Sequence, residues 1–120
     1  MKYLCQIWFD GTVLNNMDPE EKAKVDRESL DLLEELKRRG QLLATEALQS
    51  PTTAVTVRVR DGKMSVTDGP FIETKEHLGG FVLIEARDLN EAIRIAGDLA
   101  FKDLGGVEIR PIYIIPGSEA

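Results

Sequence analysis

The sequence is poor in the residues that build disulfide-bonded or metal-held folds. Among 120 residues there is one cysteine, Cys5, and one histidine, His77. A single cysteine cannot form an intramolecular disulfide, and the two residues cannot supply a structural zinc site of the usual multi-Cys/His kind. Cys5 stands in an apolar run, where a cysteine behaves as a small buried hydrophobe. The chain must therefore fold by burying apolar surface, for which 120 residues are enough.

Positive charges are outnumbered by negative ones, and long apolar runs are scarce. Lys and Arg number 15 against 21 Asp and Glu, which gives a net charge of −6. This balance argues against binding to a nucleic-acid backbone or an anionic membrane surface, since both require a basic patch. The opening MKYLCQIWFDG contains no signal-peptide core, and no run approaches the length of a membrane span. We therefore expect a cytoplasmic protein with no nucleic-acid or membrane partner.

The pattern of apolar and polar residues predicts one domain of helices and strands over residues 1–116, followed by a loose tail at 117–120. Capping boxes that begin at Asp18 and Asp88 predict two helices. Apolar runs, some of them strictly alternating, predict strands over 2–9, 41–48, 54–60, 63–68, 79–86 and 107–115.

The boundaries of the two predicted helices follow from their stop residues. The first begins at Pro19 and ends at Gly40, and residues 10–17 before it are expected to form a loop. The second helical segment follows Asp88 and is expected to stop at Gly105-Gly106. Its expected apolar stripe is Ala92, Ile93, Ala96, Leu99 and Ala100.

The resulting order is β-α-β-(β-β)-β-α-β, an α+β arrangement. Without the inner hairpin it is the ferredoxin-like βαββαβ pattern. Two helices can cover only one face of such a sheet, whereas Leu4, Trp8 and one side of 81–84 place apolar side chains on the other. Because water should not remain on that face, we expect a homodimer.

The inner hairpin places Asp68. Asp61-Gly62 fits a two-residue type I′ turn, so that Arg60 faces Lys63 and Val55 faces Asp68. Alternation then puts Asp68 on the apolar face of the hairpin. A carboxylate there either accepts backbone N–H bonds from the following Gly-Pro turn and locks the loop, or is desolvated and serves as a general acid or base. The residues alone leave both possibilities open.

The segment TDGPFIETKEHLGGF contains Asp68-Gly69-Pro70-Phe71 and ends in Leu78-Gly79-Gly80. It resembles the signature of the DGPF-domain proteins of the YCII-related (YciI-like) family, and the resemblance extends to MKYLCQIWFDG, VRVRDG and VEIRPI. It implies a ferredoxin-like fold paired as a dimeric α/β barrel, a cleft near the DGPF loop and a bacterial origin. For YciI-like relatives it also implies enzymatic activity through a His–Asp pair, and Asp68 matches the family's aspartate.

The candidate site residues each have two interpretations. His77 is either a solvated loop histidine or a catalytic partner of Asp68. Arg58 and Arg60 form either a solvated face or a clamp for an anionic group. Phe71 and Lys75 flank the same loop and are further candidates for substrate binding.

Two functions are consistent with these residues. The first is a homodimer that binds a small organic molecule near the DGPF loop and carries out cofactor-free proton transfer of an isomerase or lyase type, with Asp68 as general acid or base. No motif implies a metal or another cofactor. The alternative, which the resemblance implies, is a non-enzymatic regulatory or interaction module associated with an extracytoplasmic-function sigma factor.

Overall fold

The computed structural model describes residues 1–100 and 104–118. The strands are β1 (Lys2–Asp10), β2 (Leu42–Ala47), β3 (Val55–Arg60), β4 (Lys63–Asp68), β5 (Glu76–Glu85) and β6 (Gly105–Pro111). The helices are α1 (Gly11–Asn15), α2 (Pro19–Arg38) and α3 (Leu89–Leu99), and one turn of 3-10 helix spans Pro51–Thr53.

Carboxylate caps begin the two long helices, as the sequence predicts. The Asp18 carboxylate accepts a hydrogen bond from the Glu21 N–H at 2.8 Å, and the Asp88 carboxylate accepts one from the Glu91 N–H at 2.9 Å. Each bond satisfies a backbone donor that has no partner within its helix.

Two helix predictions need correction. Residues 11–15 form the short helix α1 where the sequence predicts a loop, because Asp10 caps it by accepting a hydrogen bond from the Thr12 N–H at 2.9 Å. On α3, Ile95 is buried, whereas the predicted stripe residue Ile93 is 51% exposed. Ala100 is exposed and follows the end of α3 at Leu99. The expected continuation through 101–103 lies outside the described residues.

Four antiparallel strands form a sheet in the order β2-β5-β1-β6. With α2 and α3 this is an α+β architecture compatible with a ferredoxin-like fold. One face of the sheet carries Tyr3, Cys5, Val82 and Ile84 into the core. The helices complete this core with Leu36, Ala92, Ile95 and Leu99.

The opposite face of the sheet, here called the open face, lies away from the helices. Since side chains alternate along a strand, Leu4 and Leu83, which are register partners, share this face, and Phe81 lies on it beside Gln6. All four side chains are half-buried. The open face is thus apolar at its centre.

The bounds of strands β5 and β6 differ from the predicted ones. β5 begins at Glu76, three residues early, so that His77 pairs with Phe9 in a strand and does not lie in a loop. β6 begins at Gly105, where the sequence predicts a stop, and ends at Pro111 and not at 115. The early start is possible because Gly105 has no side chain where its backbone approaches the Trp8 carbonyl.

β3 and β4 form a separate two-stranded hairpin. Its register is as predicted, from Arg60 opposite Lys63 to Val55 opposite Asp68. Asp61 and Gly62 have φ angles of 52° and 74°, as a type I′ turn requires.

One face of this hairpin, here called the valine face, carries side chains that are 56–69% exposed: Val55, Val57, Val59, Met64 and Val66. The opposite face is more covered at Thr56 and Arg58, which are half-buried. The radius of gyration of 16.5 Å exceeds the roughly 14 Å expected for a compact chain of this length. The hairpin therefore leaves its apolar side uncovered within one chain.

The two adjacent glycines at the start of β6 provide a test of this packing. A Cβ at Gly105 would lie 1.9 Å from the Trp8 carbonyl oxygen, whereas a Cβ at Gly106 would meet no atom within 4 Å. We expect Gly105→Ala to lower the free energy of unfolding by about 1–3 kcal/mol, because the backbone of β1 must move. Gly106→Ala, the control, should change it by less than about 0.5 kcal/mol. Urea denaturation of both variants measures the difference, and equal stabilities would contradict the close approach.

Candidate functional site

The loop that follows β4 is fixed by backbone contacts to the start of the hairpin. The Gly69 N–H donates to the Ala54 carbonyl at 2.8 Å, and the Thr56 hydroxyl donates to the Gly69 carbonyl at 2.8 Å. Gly69 has a φ of 107°, a region that favours glycine. The loop at 68–71, called the DGPF loop below, is therefore held in place by Ala54 and Thr56.

A cleft of about 580 Å³ lies beneath the DGPF loop, at one end of the open face. Trp8 and Leu78 come from β1 and β5, and Pro51 comes from the connection after β2. Pro70 and Phe71 of the loop contribute to the same wall. The cleft therefore joins three parts of the chain that are distant in sequence.

The polar groups of the cleft are few. Ser50, Thr53, Thr74 and His77 are among the residues that line it, and none of the described lining residues is acidic. Apolar walls with a small number of polar groups are typical of small-molecule sites. The cleft can therefore hold a modest organic molecule and offer it hydrogen bonds from hydroxyl and imidazole groups.

His77 lies at the boundary of two cavities. It lines the main cleft and also a smaller cavity of about 330 Å³ that includes Gly69 and Glu73. Its imidazole packs against the start of α1, since a Cβ at Gly11 would lie 3.1 Å from His77 Cε1. Among the residues that the structure describes, His77 is thus the one ionisable side chain in the wall of the main cleft.

Asp68 stands apart from the cleft within one chain. Its side chain is exposed at the end of β4, and it does not line the main cleft. Among the described residues, none donates a hydrogen bond to its carboxylate, and no ion pair joins it to His77. Its register position puts it on the valine face.

Arg58 is held against the DGPF loop by an aromatic contact. Its guanidinium carbon lies 4.1 Å from the centroid of the Phe71 ring, within the range of a cation–π interaction. Phe71 also lines the cleft, so this contact places a positive charge beside the cleft wall. Arg60 is exposed beside the hairpin turn, opposite Lys63.

Lys75 is engaged with Asp10. Its ammonium lies 3.4 Å from the carboxylate that caps α1. Desolvation raises the pKa of Asp10, but the hydrogen bond from Thr12 and the charge of Lys75 outweigh it, so the pKa lies below its usual value. Both residues line a shallow cavity next to the main cleft, together with Trp8.

Sequence reasoning does not assign Trp8 or the 48–54 connection to the site. The sequence favours a core or interface position for Trp8, yet this residue forms part of the cleft wall. The Ser50-Pro51 pair marks a turn in the sequence but carries no sign of where that turn packs. These residues join the site only through tertiary structure.

Within residues 1–100 and 104–118, no three His, Cys, Asp or Glu side chains lie close enough to hold a metal ion. In the same residues, no helix is long and apolar enough to cross a membrane.

Cys5 is buried in the core, and this burial raises the pKa of its thiol to about 11. The thiolate is the reactive form of cysteine, so the folded protein should react very slowly with a thiol reagent at neutral pH. After unfolding in urea, one thiol per chain should react within minutes. An Ellman assay with and without urea measures both rates, and a rapid reaction of the folded protein would contradict the burial of Cys5.

Comparison with known proteins agrees with the signature in the sequence. Residues 1–115 match the family model of the YCII-related domain. The chain is also 35% identical over 121 residues to an uncharacterized protein of Rhizobium meliloti (strain 1021), in a match that covers 99% of this chain and 98% of that protein. The chain therefore belongs to the YCII-related family.

Proposed function

We propose that the protein is a homodimer that binds a small organic molecule in the cleft beneath the DGPF loop and catalyses a cofactor-free proton transfer on it. The observation that carries this proposal is the cleft itself, about 580 Å³ in volume, with apolar walls and one imidazole. Its volume is that of small-molecule sites. Isomerisation or elimination by proton transfer requires a positioned acid or base and no cofactor.

Asp68 connects the proposed chemistry to the proposed dimer. Within one chain its carboxylate is exposed and shares the valine face with five exposed apolar side chains. A second copy that covers this face also removes Asp68 from water. A desolvated carboxylate is a stronger base, as a general base needs to be. Because Asp68 does not line the cleft of its own chain, the proposal also requires the dimer to bring it within reach of a ligand in one of the two clefts.

The dimer is supported by the apolar surface that one chain leaves uncovered. An isolated two-stranded hairpin is only marginally stable, and this one packs little against the four-stranded sheet. Covering each of the half-exposed side chains on the valine face contributes about 1 kcal/mol. The open face of the sheet offers a second apolar surface, with Leu4, Phe81 and Leu83.

Association through the valine face can be tested by placing a charge on it. We expect the wild type to sediment as a dimer of the 13.4-kDa chain, and Val57→Lys to shift it to the monomer. Ile93→Lys is the matched control, because Ile93 is 51% exposed on α3 and Val57 is 56% exposed on β3. Analytical ultracentrifugation distinguishes these results. A monomeric wild type, or equal dissociation of both variants, would overturn the proposal.

The catalytic role of Asp68 can be tested with a broad set of candidate ligands. A library of small organic molecules is first screened for ligands that raise the melting temperature. Each ligand is then incubated with the protein in D2O, and NMR follows the exchange of its C–H protons for deuterium. We expect Asp68→Asn to slow exchange by about 100-fold or more, because a general base typically contributes that much.

Asp61→Asn is the control for this experiment. It removes a carboxylate at the other end of the hairpin, and Asn-Gly suits the type I′ turn as well as Asp-Gly does. Both variants should unfold within a few degrees of the wild type, since both side chains are exposed. Equal exchange rates for Asp68→Asn and the wild type would exclude Asp68 as the base. Ligands that bind but never exchange or react would point to a binding protein without catalysis.

A further inference from the structure

We propose that the cleft selects a flat, apolar molecule with a single negative charge, such as an aromatic monocarboxylate, and that Arg58 is the partner of that charge. This inference rests on the proposed small-molecule function and adds the class of ligand. It follows from three observations: the charge of the cleft wall, the state of Arg58 and the shape of the lining side chains.

The charge of the cleft wall is unlike that of the whole chain. The protein carries a net charge of −6, yet no acidic side chain of the described residues lines the cleft. A cationic ligand would therefore find no carboxylate in this wall. An anionic ligand would meet no carboxylate in the wall itself, since Glu73 and Asp10 line the neighbouring cavities, and His77 can donate a hydrogen bond to it.

Arg58 supplies a positive charge that no described carboxylate neutralises. Five arginines have a carboxylate within ion-pair distance, namely Arg38, Arg39, Arg87, Arg94 and Arg110, whereas Arg27 and Arg60, like Arg58, have none among the described residues. Arg58 instead is half-buried and rests on the Phe71 ring at 4.1 Å. A guanidinium donates hydrogen bonds in a fork that matches a carboxylate. Its N–H groups are therefore available to a ligand that lies against Phe71.

The shape of the lining favours a planar molecule. Two aromatic side chains, Trp8 and Phe71, and two proline rings, Pro51 and Pro70, are among the residues that line the cleft. Aromatic rings pack on such surfaces with an energy beyond that of simple area burial. The one guanidinium that contacts Phe71 can compensate one negative charge, and the net negative charge of the protein disfavours ligands that carry several negative charges.

The position of Trp8 makes this class directly testable. Trp8 is the sole tryptophan of the chain and lines the cleft, so its fluorescence reports occupancy. The probes are phenylpropionate, phenylpropanol and phenylpropylamine, which share a ring and chain length but carry negative, no and positive charge. We expect the acid to bind about tenfold more tightly than the alcohol or the amine, as one charge-assisted contact provides.

Substitution of Arg58 separates its role from that of net charge. In Arg58→Gln the affinity for the acid should fall about tenfold, whereas the affinity for the alcohol should change less than about twofold. Lys63→Gln is the control, because Lys63 lies on the same face of the hairpin and its loss changes the net charge equally. It should leave both affinities unchanged. Urea denaturation verifies that each variant is folded.

Each outcome decides between the two proposals. Equal affinities for the three probes, or tightest binding of the amine, would overturn the charge selectivity while leaving a small-molecule cleft. An Arg58→Gln variant that binds the acid like the wild type would remove Arg58 from the site. If no probe alters Trp8 fluorescence, the ligand class is overturned. The proposed function fails as well only when the wider library also yields no ligand.

Discussion

Two helices can cover one face of a four-stranded sheet and no more, and the rest of the molecule depends on this limit. The core forms where α2 and α3 pack on Tyr3, Cys5, Val82 and Ile84. The opposite face retains apolar side chains, and the cleft lies at its end, against Trp8 and Leu78. The inserted hairpin adds a second apolar surface that one chain does not cover. The candidate site therefore lies on the side of the sheet that the core does not use.

Sequence reasoning is most accurate where a local interaction determines the structure. Asp61-Gly62 fixes the turn type, and the turn type fixes every pair in the hairpin. Asp18 and Asp88 likewise determine where α2 and α3 begin. The errors occur where distant contacts decide. The low helix and strand propensity of glycine predicts that Gly105 ends an element, but Gly105 begins β6 because the backbone of β1 approaches it closely. A stripe through Ala92, Ala96 and Leu99 can include Ile93 or Ile95 at its edge, and packing on the sheet selects Ile95.

The candidate site is predictable only in part for the same reason. The DGPF segment identifies the loop, with its Phe71, and the His77 that follows it, and both residues line the cleft. Trp8 lies some 60 residues earlier in the chain, and no local pattern relates it to that loop. The register correctly puts Asp68 on an apolar face, but that face is exposed in a single chain. A carboxylate in that position requires a second copy before it can be desolvated, so the proposed chemistry and the proposed dimer depend on each other.

Hydrogen–deuterium exchange at two protein concentrations tests most directly whether a second copy covers the valine face of the hairpin. Backbone amides of β3 and β4 are expected to exchange slowly at high concentration and faster on dilution, while amides of α3 are unaffected. This result is expected because a two-stranded hairpin protects its amides poorly unless another surface packs on it. Exchange in β3 and β4 that is rapid and the same at both concentrations would contradict a dimer formed through the valine face.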